Sequence, residues 1–191
     1  MSQAISQREV QGVELPPAGT WAFDKGHTNL EFVARHMLSK VRGRFTEFDG
    51  KVQIAERPED SSVEVEIRAD SIQTNSDYRD NHLKSEDFLR SETYPVLEFR
   101  STSLRPLGGN RFQLVGDLRI KDITNQVVLD AEFGGFGPTA DAKGTVAFFS
   151  ASTEIDREDW DMTWNMAVET GGLLVGRRVK IEIDAEIVLV E

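Results

Sequence analysis

From Trp21 onward, apolar and polar residues alternate with a period of two along most of the chain, the pattern of strands that bury one face. Leu30, Phe32, Ala34 and His36 share a face near 28–38. Phe48, Val52 and Ile54 share one after a turn around Gly43, with Phe45 in the opposite phase. Val63, Val65, Ile67 and Ala69 alternate with Glu64, Glu66 and Arg68, and Leu97 and Phe99 follow Pro95. Phe112, Leu114, Gly116, Leu118 and Ile120 form another set, then Val127, Leu129, Ala131 and Phe133. Residues 144–155 carry apolar side chains in both phases, Val146 and Phe148 against Ala147 and Phe149. The last strand places Val179, Ile181, Ile183, Ala185, Ile187 and Leu189 opposite Lys180, Glu182, Asp184 and Glu186.

This makes about eight long strands, a number suited to a small closed barrel. Turns are expected at Asp49-Gly50, Gly108-Gly109-Asn110, Asp122 to Asn125 and Gly134-Gly135. The links between most strands are too short for helical crossovers, so the sheet is antiparallel. One apolar face must be covered, and closure also removes exposed edges. Such a sheet can fold into a sandwich or close on itself; closure gives an all-β, eight-stranded antiparallel β-barrel with short helical lid segments, wide enough to hold one small ligand as lipocalins do.

Two stretches break the alternation. In RDNHLKSEDFLRSETYP (79–95), His82, Leu83, Phe88 and Leu89 stand among charges. Ser76 or Asp80 can cap a short helix over 77–84, and Ser85 can start a second turn. DREDWDMTWNMAVETGGLLVG (156–176) brings Trp160, Met162, Trp164 and Met166, and it is long for a hairpin connection. Both suit covers for a barrel mouth and equally suit plugs of a dry core. Residues 1–18, ending in Pro16 and Pro17, read as a flexible N-terminal arm, and 19–191 as one barrel domain.

With 191 residues the chain can bury a substantial core. Its net charge of -11 argues against nucleic acid, which requires a basic face, and disfavours anionic membrane surfaces. No window is long and apolar enough for an integral membrane segment, and no leader is visible at MSQAISQREV, which gives the expectation of a cytoplasmic protein. Without cysteine, thiol chemistry and disulfides are out.

Four segments in order now resemble one family: FDKGHTNLEFVARHMLSKVRGRFTEFDGKV (23–52), DSIQTNSDYRDNHLKSEDFLRSETYPVLEFRSTSL (70–104), LVGDLRIKDITNQVVLDAEF (114–133) and STEIDREDWDM (152–162). Together they are similar to the YceI family, from about Trp21 to the end of the chain. The resemblance implies an extended lipocalin-like barrel that holds a long-chain amphiphile, such as a polyisoprenoid, an isoprenoid quinone or a fatty-acid-like lipid. It implies no required cofactor beyond that bound lipid. Asp122 stands where the family has glycine, which should alter a turn and not the cavity.

Candidate lining residues are Phe32, Phe48, Val52, Phe88, Leu97, Phe99, Phe148 and Trp164, with Trp160 beside them; each is equally suited to ordinary core. Lys40, Arg42 and Arg44 around Gly43 form a candidate clamp for a phosphate head, although a solvated hairpin tip has the same composition. A quinone or amide head would instead use a neutral donor such as His36. His27, His36 and His82 lack metal-ligand spacing, so no metal is expected; His36 and His82 instead suit hydrogen bonds to Asp80 or Asp87. Two other functions remain open. A lipid-acting barrel enzyme needs a cavity carboxylate, for which Glu98 and Asp117 are candidates. A scaffold or homodimer would use outward apolar residues such as Val33 and Val115.

Overall fold

The computed structural model describes residues 8–10, 12–169 and 171–190. Eight strands close into a ring of antiparallel neighbours: β3 (Gly19–Phe23), β6 (Phe48–Ile54), β7 (Ser62–Arg68), β9 (Val96–Gly108), β10 (Arg111–Ile120), β11 (Ile123–Pro138), β12 (Thr145–Asp156) and β13 (Val175–Leu189), which returns to β3. Three more strands, β4 (Asn29–His36), β5 (Ser39–Phe45) and β8 (Ile72–Gln73), prolong the wall beside β13 at one end. At about 3.3 Å per residue, the 16-residue β11 runs roughly 50 Å, so the barrel is elongated. A small hairpin of β1 (Arg8–Val10) and β2 (Val13–Leu15) lies before it and buries Leu15. The arm expected over 1–18 otherwise falls largely on residues 1–7 and 11, outside the described residues.

The inner face follows the predicted alternation, with informative departures. Phe45 and Phe48 both face inward, because Thr46 and Glu47 interrupt the strand between β5 and β6 and reset its phase. Asp49-Gly50 lies inside β6, not in a turn, and Gly134-Gly135 forms an irregularity where β11 passes β12. Gly43 is likewise within β5, and the hairpin tip is Met37 and Leu38. A Cβ on Gly43 would lie 2.3 Å from the Phe32 ring, and one on Gly116 would lie 2.5 Å from Phe99. The bare backbone at these two positions lets both rings lie against the wall.

The barrel is filled at its ends. One cluster joins Trp21, Val52, Ile54, Phe112, Phe133 and Ile187 to Leu15. The other gathers Phe88, Leu89, Leu97, Leu118, Trp160 and Met162 under the covers. The first cover is the helix α1 (Asp77–Lys84), capped by Ser76 as the sequence suggested. Its Asp80 is buried and accepts from both the backbone N–H and the hydroxyl of Thr74, while Arg79 donates to the same residue's Oγ1 and carbonyl at 2.7 Å. The second cover opens with a 3-10 turn, Arg157–Trp160, and continues through Met162 and Trp164. It is fixed to the β10–β11 hairpin, with Trp160 Nε1 donating to the Leu118 carbonyl at 3.1 Å and Lys121 Nζ to the Asp161 carbonyl at 2.9 Å. Asp122 sits in that hairpin's turn.

Two outcomes follow. Asp80→Ala should destabilise the fold by about 2–4 kcal/mol in urea unfolding, since it strands two buried donors. Gly43→Ala should push the Phe32 ring into the lumen and weaken binding of any apolar cargo, and the added change Phe32→Ala should recover part of that loss in the same titration.

Candidate functional site

Between the two filled ends lies a cavity of about 360 Å³, within the usual range for small-molecule sites. It extends from Leu15, Pro16 and Pro58 at one end to Phe88, Met162 and Val175 at the other. Its lining is apolar apart from Glu31, Ser61, Ser150, Thr153 and Arg157. Glu31 alternates with Leu30 and Phe32 and lies in register with Arg44 and Glu182, which places its side chain on the outer face. Arg157 is different, being 3% exposed.

The Arg157 guanidinium sits at the covered end. Nε donates to the Gly176 carbonyl at 3.0 Å, Nη1 to that of Met162, and Nη2 to that of Val175 at 3.4 Å. Its carbon lies 6.0 Å from the centre of the Phe88 ring. Asp156 and Glu158 flank it in sequence but pair with Arg177 at 2.7 and 3.1 Å. Burial pushes the Arg157 guanidinium below its ordinary value, against the raising influence of Glu158 and Asp156. Above it the two covers meet: the His82 ring stands edge-on to Trp164 at 4.5 Å and to Phe88 at 5.1 Å. As the sequence suggested, His82 Nε2 pairs with Asp87, at 2.8 Å.

Of the residues singled out in the sequence, Phe32, Phe48, Val52, Phe88, Leu97 and Phe99 line the cavity. Phe148 does not. It is 42% exposed, and Phe149 takes the inward position. That strand is apolar in both phases, and its direction is set further along by Ala151, Thr153 and Ile155, which line the cavity. Trp160 and Trp164 pack in the end cluster and do not reach the lining. Arg42 and Arg44 are exposed on the outer face, Arg42 donating to Glu182 at 2.9 Å, so SKVRGR is wall and not a clamp. His36 ends β4, its backbone paired with Ser39 and Val175, and it is not among the residues that line the cavity. The sequence reading missed Arg157, although DREDWDM showed an arginine crowded by acids at the start of an irregular cover.

The carboxylates that a lipid-acting enzyme would need do not face the cavity. Glu98 lies on the outer face, where the Arg119 hydrogen bond holds it below the usual carboxylate range despite partial burial, and Asp117 is exposed. Val115, offered as a docking residue, is 3% exposed and buried in the wall. Among the described residues Asp24, His27 and Glu186 bring their donor atoms within 4.8 Å of one another. His27 Nδ1 is already hydrogen-bonded to Asp24 Oδ2 at 3.1 Å, which raises the imidazole and lowers the carboxyl. Thr28 Oγ1 donates to the Glu186 carbonyl beside them, so the group ties a loop to β13.

A YceI-like domain profile matches residues 21–187. A UPF0312 protein of Staphylococcus aureus (strain bovine RF122 / ET3-1) is 37% identical over 169 residues, covering 87% of this chain and 95% of its own. Among solved structures, Burkholderia cenocepacia BcnA superposes with a TM-score of 0.76 at 20% identity, over 86% of this chain and 98% of that one. A polyisoprenoid binding domain from Saccharophagus degradans, implicated in plant cell wall breakdown, gives 0.67 at 12% identity, over 89% and 98%. These structural likenesses speak for the fold. No helix among the described residues is long and apolar enough to cross a membrane. The closed ring of strands and its apolar bore agree with the profile match, and the chain belongs to the YceI family.

Proposed function

We propose that the protein binds a long-chain amphiphile of the polyisoprenoid or fatty type in its bore and acts as a carrier or store for it, without catalysis. The observation that carries this reading is the elongated apolar cavity running between the two filled ends. Such a bore suits a chain more than a compact molecule. The likeness to a polyisoprenoid binding domain supports it. Each methylene moved from water into the bore contributes about 0.8 kcal/mol, so one five-carbon unit offers up to about 4 kcal/mol before the chain's ordering cost. Exchange requires the covers to part. They meet through the aromatic contacts of His82, Phe88 and Trp164, which can separate without breaking the ring of strands.

Native mass spectrometry of freshly purified protein, followed by organic extraction, should reveal a stoichiometric apolar lipid. Phe99→Asp, which puts a charge on the lining, should lower lipid uptake by at least about tenfold with little change in far-ultraviolet circular dichroism. A protein that purifies empty and takes up no isoprenoid or acyl chain would remove this function.

A further inference from the structure

We propose that Arg157 is the head-group anchor of the bore and that it selects cargo ending in an oxyanion, a carboxylate or a phosphate. The inference rests on the lipid-binding reading and adds the chemistry of the polar end. Arg157 is the one cationic side chain among the described residues lining the cavity, and it stands at the covered end. Its position therefore fixes a direction: head under the covers, tail toward Leu15 and Pro16.

A guanidinium carries five N–H groups. Three are used, by the carbonyls of Gly176, Met162 and Val175. The remaining two, one on Nη1 and one on Nη2, have no partner among the described residues. They belong to the two terminal nitrogens, and an oxyanion reaching both under the covers would meet them through paired hydrogen bonds. The charge is only partly offset, by the longer-range influence of Glu158 and Asp156, and no acid is hydrogen-bonded to it among the described residues. Arg157 is 3% exposed, and the nearest acids in sequence, Asp156 and Glu158, are held outside by Arg177. A buried cation bonded only to carbonyl dipoles gains more from an anion than from a neutral acceptor.

Arg157 also fastens the second cover, because its three carbonyl partners come from that segment and the start of β13. Fastening requires only the three bonds already made. It does not call for discrimination between head groups on identical tails, and this separates the two roles.

The test uses the full chain stripped of lipid and two pairs of probes: palmitate with palmitamide, and geranylgeranyl phosphate with geranylgeraniol. At neutral pH the wild type should bind each anionic member about tenfold more tightly than its neutral partner. Arg157→Met should bring both ratios near one, whatever it does to the affinity for the neutral members. Arg157→Lys, which keeps the charge without the fork, should retain an intermediate preference and serves as the reference if the Met variant folds poorly. A preference confined to one pair would support the anchor and identify its oxyanion as carboxylate or phosphate. Equal affinities within both pairs for the wild type, or ratios unchanged in Arg157→Met, would overturn the assignment while leaving the lipid site intact. If no probe binds, the lipid-binding reading itself fails and takes the anchor with it.

Discussion

Every property of this molecule depends on one strand having partners on both sides. β13 is hydrogen-bonded to β12 along one edge, and along the other to β3 near its end and β4 over the rest. Without it the sheet would be open, with two unsatisfied edges and an apolar face in water. With it, the backbone polar groups of the wall are spent on neighbours, and the residues facing inward need only be apolar. Closure thus turns an alternating sequence into a sealed container.

A closed barrel lined with large side chains would ordinarily fill itself. Here the filling is unevenly distributed. Trp21, Phe112 and Phe133 occupy one end, and Phe88, Trp160 and Met162 the other. Between them Phe32 and Phe99 lie over Gly43 and Gly116, so two of the largest lining residues take up little of the lumen. The ends supply packing and the middle supplies space. The covers are fixed mainly by polar bonds to backbone, through Asp80, Lys121, Trp160 and Arg157, which set their position without filling the bore.

Alternation carried most of the fold because burial on one face of a strand has a strict period. The inward sets from Val63 to Ile67, Phe112 to Ile120 and Val179 to Ile187 follow directly from it, and so does the capped helix after Ser76. Period alone failed where both phases are apolar, as at Phe148 and Phe149, and where a break shifts the phase, as between Phe45 and Phe48. Glycine was ambiguous for a physical reason: it serves a turn at Gly108-Gly109 and a close approach at Gly43, and only the neighbouring ring tells the two apart. The candidate site was legible in its apolar wall and not in its one buried cation. Six lining residues could be named from pattern, but Arg157 is brought to the lumen by the path of an irregular cover, which no period encodes. The basic cluster at Arg42 and Arg44 drew notice because it stands out in an acidic chain, yet strand parity turns it toward solvent.

The pairing of β13 with β3 and β4 has a kinetic side. Phe23 meets Ile187 and Leu30 meets Ile183, contacts that span nearly the whole chain. Joining them means closing a very long loop, which slows folding in topologies of this kind. Any state in which that seam is still open exposes the Val, Ile and Phe of the inner face, which favours self-association. The apolar bore of the finished protein is thus also its main hazard on the way to the native state.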